Sequence, residues 1–137
     1  MNGILLDTHI WIWFANGEKH LPKIMRKTIN QAIQNQSAFI AAISLWEVAM
    51  LAKKNRLTLS MPCLEWIEES MAHCQLRLQP LTPTIAADSC QLPGKFHGDP
   101  ADQIIVATAR TEGLQLLTCD EKILSYSKHQ YVSVVQA

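Results

Sequence analysis

GILLDTHIWIWF, residues 3–14, joins two kinds of element at a single acid. The run Gly3–Leu6 is apolar and too short for a helix, so it reads as a buried strand. Asp7-Thr8 follows at once, and such a pair ahead of an apolar segment is a helix-start signal. The same joint recurs further along. AFIAAI (38–43) reads as a buried strand, with Ser44 opening a helix to about Lys54 that carries Glu47. LQLLT (114–118) reads as a strand, then Cys119-Asp120 leads into a short helix at EKIL. GDPADQIIVATA (98–109) opens a strongly apolar helix on Asp99-Pro100, with Asp102 in its first turn.

The rest of the chain fills in the alternation. Residues 21–35 place Ile24, Met25, Ile29, Ala32 and Ile33 at a 3.6-residue period, an amphipathic helix. Pro62 precedes another, carrying Leu64, Trp66, Ile67, Met71 and Ala72. LRLQPLT (76–82) is a weak strand at an edge, because Pro80 cannot donate to a ladder. Thr82-Pro83 caps a further helix to about Cys90, and YVSVV (131–135) alternates as a last edge strand. Strands separated by helices imply parallel pairing, hence an α/β sandwich with a central, mainly parallel sheet. Ligands of such sheets bind outside the carboxyl ends of the strands, where these acids fall.

Composition narrows the class. The chain has 137 residues, 48% hydrophobic and 18% charged, which suits one compact domain over residues 1–137. A formal net charge of zero does not advertise a nucleic-acid partner. Two basic groups are local candidates for one: Lys19, Lys23, Arg26 and Lys27, then Lys53, Lys54 and Arg56. A solvated helix face is the simpler account of the first. Cys63, Cys74, Cys90 and Cys119 form no CxxC pair and have no histidine at zinc spacing. The apolar start is too short and too uncharged for a signal peptide, and no stretch is long enough to span a membrane. A reducing cytoplasm is the expected setting.

Each acid has a plain structural explanation. Asp7 can cap the helix beginning near His9, and Asp120 can cap the helix at Glu121–Leu124. Ser44-Leu-Trp-Glu47 fits a capping box, with Glu47 folded back onto the Ser44 amide. Asp99 is the natural cap before Pro100, which frees Asp102, at the third helical position, for other work. Capping accounts for any one residue but not for four helix-start acids on strand-flanked segments. Two carboxylates about 5 Å apart repel by about 3 kcal/mol at an effective dielectric near 20. A cluster of them needs protons or a divalent cation, and oxygen-only ligands select Mg²⁺ or Mn²⁺.

LLDTHIWIWF, SLWEVAML, GDPADQIIVATAR and LLTCDEKIL, in this order, resemble the PIN-domain ribonucleases, and among them the VapC-type toxins of type II toxin–antitoxin pairs. The resemblance covers essentially the whole chain. It implies a PIN-like three-layer α/β/α sandwich and cleavage of single-stranded RNA. It implies that Asp7, Glu47, Asp102 and Asp120 hold one or two Mg²⁺ or Mn²⁺ ions, with Asp99 as an additional acid of the site. Thr8 and Thr118 match hydroxyl positions that orient the metal acids. A cognate antitoxin and a second toxin copy are the implied partners. A PIN nuclease of RNA processing, or a PIN-fold binding module, fits the same motifs. A phosphotransfer receiver domain also places acids at strand ends, but Asp7 has no acidic neighbour. A haloacid-dehalogenase-like phosphatase needs a second Asp that DTH lacks.

Other residues invite a role. His9 and His97 are candidates for a general acid, or ordinary hydrogen-bonded histidines near the site. Arg110 and Lys122 can contact phosphate or be surface charges at helix ends. Ile10-Trp11-Ile12-Trp13-Phe14 covers every side of a helix, so one face packs on the sheet and the other is core or a partner surface.

Overall fold

A computed structural model describes residues 3–96 and 98–135; His97 lies outside the described residues. The elements run β1 (Ile4–Leu6), α1 (Thr8–Ala15), α2 (Lys23–Gln34), β2 (Ala38–Ala41), α3 (Ala42–Lys53) and α4 (Cys63–His73). They continue with β3 (Arg77–Gln79), α5 (Pro83–Ser89), α6 (Pro100–Glu112), β4 (Gln115–Leu117), α7 (Glu121–Ser127) and β5 (Val134–Val135). The sheet order is β3-β2-β1-β4-β5, and every pairing is parallel. The α/β sandwich expected from the alternating pattern is therefore present, with β3 and β5 at the edges as their sequences suggested.

Short strands suffice because both faces of the sheet are covered. Successive side chains of a strand point to opposite faces. Ile4 and Leu6 of β1 join a core with Ile10 and Trp11 of α1, Met25 and Ile29 of α2, and Trp66 of α4. Leu5, between them, joins the other core with Ile105, Val106 and Ala109 of α6 and Ile123 and Tyr126 of α7. Leu117 and Leu116 of β4 divide in the same way. Helices on both sides of one sheet make three layers.

The helix ends follow their local chemistry. Asp99 accepts from the Asp102 N–H at 2.9 Å with Pro100 at the first helical position, and α6 stops at Gly113, whose φ of 65° is the left-handed turn glycine adopts freely. Thr82 caps α5 through the Ile85 N–H at 3.2 Å. One start differs from expectation. β2 ends at Ala41, and α3 begins at Ala42 with no side-chain cap. Ser44 is thus the third helical residue, fully buried, and the capping box with Glu47 is not formed.

Two readings left open by the sequence are narrowed. In α1, Ile10, Trp11 and Ile12 are buried, while Trp13 and Phe14 are half-buried and pack on the same core. The large exposed apolar side chains lie elsewhere, at Ile24, Trp46, Leu64, Leu78 and Leu81. Arg110 is committed internally, to Asp88 at 3.0 Å and to the Tyr131 carbonyl at 2.7 Å, so it is not a free phosphate contact. Among the described residues no helix is long and apolar enough to cross a membrane.

Candidate active site, a carboxylate cleft

The chain leaves β1 toward β2 and β3 on one side, and returns to place β4 and β5 on the other. Such a reversal opens a crevice at the carboxyl ends of the two strands that flank it. Asp7 follows β1 directly, and Asp120 lies three residues beyond the end of β4. Glu47 comes from the second turn of α3, and Asp99 and Asp102 from the start of α6. All five line one cavity of about 260 Å³, together with His9, Trp13 and Cys119.

Hydroxyl groups set the carboxylates. Asp7 is 7% exposed, and each of its oxygens accepts one hydrogen bond. The Thr8 N–H donates to Oδ1 at 2.8 Å, and Thr118 Oγ1 donates to Oδ2 at 2.6 Å. Thr118 Oγ1 in turn accepts from the Asp120 N–H at 3.0 Å, so one buried hydroxyl ties the ends of β1 and β4. Thr8 Oγ1 donates to Glu47 Oε1 at 2.5 Å. With that proton committed, the 2.8 Å contact between Ser44 Oγ and Thr8 Oγ1 has Ser44 as donor. The relay Ser44–Thr8–Glu47 connects α3 to α1. Ser44 is the residue that sequence reasoning misplaced. Its spacing of three from Glu47 did mark a shared helix face, but the link runs through Thr8.

Asp99 and Asp120 both spend one carboxylate oxygen on a helix cap, Asp120 through the Ile123 N–H at 3.1 Å. Among the described residues the Asp102 carboxylate accepts no hydrogen bond, and it stands free at the cleft. His9 is exposed at the mouth with Trp13 beside it, ring centroids 6.2 Å apart.

The acids oppose each other's charge. Burial pushes the Asp7 carboxyl above its ordinary range, against the pull of the Thr118 and Thr8 hydrogen bonds. Glu47 is raised by burial and then by Asp7 and Asp99, with the Thr8 bond pulling the other way. Asp102 is pushed up to about 7, by burial first and then by Asp99, Asp7, Asp120 and Glu47. Burial, with the charge of Asp7, also raises the Cys119 thiol, which keeps it protonated. Among the described residues, no three such side chains already converge at metal-binding distances. The donor set is nevertheless all oxygen, crowded and anionic, which suits a hard divalent cation.

Comparison with known proteins identifies the family and the fold. The PIN domain family model matches residues 4–128. The chain is 36% identical over 135 residues to Ribonuclease VapC22 of Mycobacterium tuberculosis (strain ATCC 25618 / H37Rv), covering 98% of this chain and 99% of that one. It is similar to a toxin–antitoxin complex from Klebsiella pneumoniae, with TM-score 0.62, 25% identity, and 98% and 97% of the two chains covered. The DNA-bound VapBC structure from Salmonella typhimurium has TM-score 0.69 at 19% identity over 98% of each chain, a likeness of fold.

Proposed function

Since the chain belongs to the PIN-domain family, and within it is VapC-like, we propose that it is a divalent-metal-dependent endoribonuclease and the toxin of a type II toxin–antitoxin pair. One observation carries the reading: five carboxylates from four separate stretches of chain line a single small cleft at the carboxyl edge of the sheet. Helix capping accounts for Asp7, Asp99 and Asp120 one at a time, but not for Glu47 and Asp102 gathering with them, and their mutual repulsion costs stability.

Asp7, Glu47, Asp102 and Asp120 would hold Mg²⁺ or Mn²⁺. Such a cation supplies Lewis-acid stabilisation of the charge that develops as water attacks a phosphodiester. The protein's own part is positioning. Thr118 and the Thr8 amide fix both oxygens of Asp7, and Ser44 and Thr8 fix Glu47. Asp102, unbonded and with its proton affinity raised, is the carboxylate most altered by an arriving positive charge. Asp99 holds the start of α6 so that Asp102 faces the cleft, a supporting role.

The partner assignment rests on the toxin–antitoxin complexes among the similar structures, and the exposed apolar side chains Ile24, Trp46 and Leu64 are available for burial by a covering chain. That chain is the cognate antitoxin, with a second copy of the toxin completing a dimer. The test is cleavage of end-labelled RNA by the purified chain in Mg²⁺ or in EDTA, beside Asp7→Asn. Cutting that needs the metal and disappears in the folded variant supports the reading. Equal cutting by Asp7→Asn removes the acid cleft from the chemistry.

A further inference from the structure

A cleft lined by five carboxylates repels a polyanion, so an RNA strand needs attractive ground beside it. A larger hollow of about 650 Å³ adjoins the cleft and has the opposite character. Lys95 and Lys122 stand on its rim, and Phe96, Tyr126, His129 and Tyr131 line it, with Glu121 the one carboxylate. Among the described residues neither lysine takes part in an ion pair.

The rings form a chain. Phe96 meets Tyr126 edge-on at 5.1 Å, Tyr126 meets Tyr131 at 5.4 Å, and Tyr131 stacks on His129 at 6.1 Å with planes 28° apart. Their inner half has a structural purpose. Tyr126 is buried, donates to the Pro93 carbonyl at 2.5 Å, and so pins the loop that leads into α6. That purpose does not extend to the outer half, where His129, Tyr131 and both lysines are exposed.

The hollow and the acid cleft are lined by different residues but lie side by side. Asp120 of the cleft is followed directly by Glu121 and Lys122 of the hollow. The Phe96 ring lies so close over Gly98 that a Cβ there has no room, and the Asp102 Cβ borders the same spot. Exposed aromatic faces with free cations, adjoining a phosphodiester site, have the makeup of a single-strand binding groove.

We propose that this hollow binds the unpaired RNA segment next to the scissile bond, with nucleobases stacked on Tyr131 and His129 and phosphates met by Lys95 and Lys122. The assignment rests on the ribonuclease reading above. It also selects single strands, since only an unstacked base offers its face to a ring.

The test is steady-state cleavage of an unstructured oligonucleotide in Mg²⁺ across a salt series, using the full chain. The variants are Lys95→Ala with Lys122→Ala, His129→Ala and His129→Phe, with Lys23→Ala plus Lys27→Ala on α2 as a matched loss of charge. The paired Lys95 and Lys122 change raises KM about tenfold, with a much smaller fall in kcat, and reduces the salt slope by about 1.4, the value for two phosphate contacts on a single strand. His129→Ala raises KM severalfold without changing the slope, and His129→Phe, which keeps a ring, restores it.

If the parent cuts RNA while KM and slope stay unchanged in these variants, the hollow is not the strand site and the nuclease reading stands. An equal effect of the α2 pair reduces the result to bulk charge and overturns the proposal. An unchanged KM together with lost antitoxin binding assigns the hollow to the protein partner instead. A parent that cuts no RNA with metal removes both readings.

Discussion

Asp102→Asn tests whether the cleft is strained by its own charge. Among the described residues the Asp102 carboxylate accepts no hydrogen bond, so the amide forfeits no contact there. What it removes is a charge opposed by burial and by four neighbouring acids, with the carboxyl held at about 7 against an ordinary 3.8. An acid raised on folding binds more protons folded than unfolded between those two values. Stability is therefore fully present below about 4, falls as pH rises toward 7, and stays reduced above it. Taken whole, such a shift amounts to about 4 kcal/mol. The group is half-exposed, so solvent screening leaves ~1–2 kcal/mol. For a domain of this length that is about 3–7 °C in Tm. Thermal unfolding in EDTA, followed by circular dichroism, should show the variant melting higher by that amount near pH ~8, and by only a small fraction of it near pH ~4. Added Mg²⁺ should raise the parent more than the variant, since an ion relieves the same repulsion. A variant that melts lower near pH ~8, or gains equally at both pH values, would refute the reasoning.

Other outcomes follow from the same geometry. Asp99→Ala removes the α6 cap and should cost about 1 kcal/mol in chemical denaturation, while losing much less cleavage rate than Asp102→Asn; the reverse order would exchange their roles. Thr118→Val keeps the shape but leaves the Asp120 amide and one Asp7 oxygen without their partner. It should cost about 1–3 kcal/mol and lower kcat about 10- to 100-fold, read by melting and by single-turnover cleavage. Arg110→Ala breaks the Asp88 pair and the bond to the Tyr131 carbonyl, and should lower stability by about 1–3 kcal/mol. Cleavage measured well below its melting temperature should stay near the parent's, and a selective rise in KM would return Arg110 to phosphate contact.

Much of this architecture was legible because the acids sit at joints. A carboxylate between an apolar run and a helix start marks the carboxyl end of a strand, whatever the strand's length. The pair Asp99 and Asp102 was resolved by Pro100 alone, since proline fixes the first helical position and so names the cap. Ser44 was misread because its side chain satisfies a capping rule locally and a tertiary hydroxyl relay in fact. A local pattern cannot choose between the two when Thr8, 36 residues away, supplies the partner. In sequence, the α1 stretch is open between core and partner surface for a related reason. Hydrophobicity on every side of a helix does not say how deep that helix lies, and depth is set by α2 and α4 closing over it. Strands of two to four residues, covered on both faces, carry little alternation, so their ends were uncertain by a residue or two.

The hydroxyl that ties β1 to β4 also fixes when the cleft can exist. Asp7 and Thr118 are separated by 111 residues, nearly the whole chain. The central strand is made early, and the neighbour that completes its carboxylate comes only 111 residues later. At about 5–20 residues per second, synthesis keeps Asp7 waiting on the order of ten seconds for its partner. A nascent chain that ends before α6 holds Asp7 and Glu47 but lacks Asp102, Thr118 and Asp120. The acids can meet only after the α6 and β4 segments have been made, so the cleft is a late product of the order of synthesis.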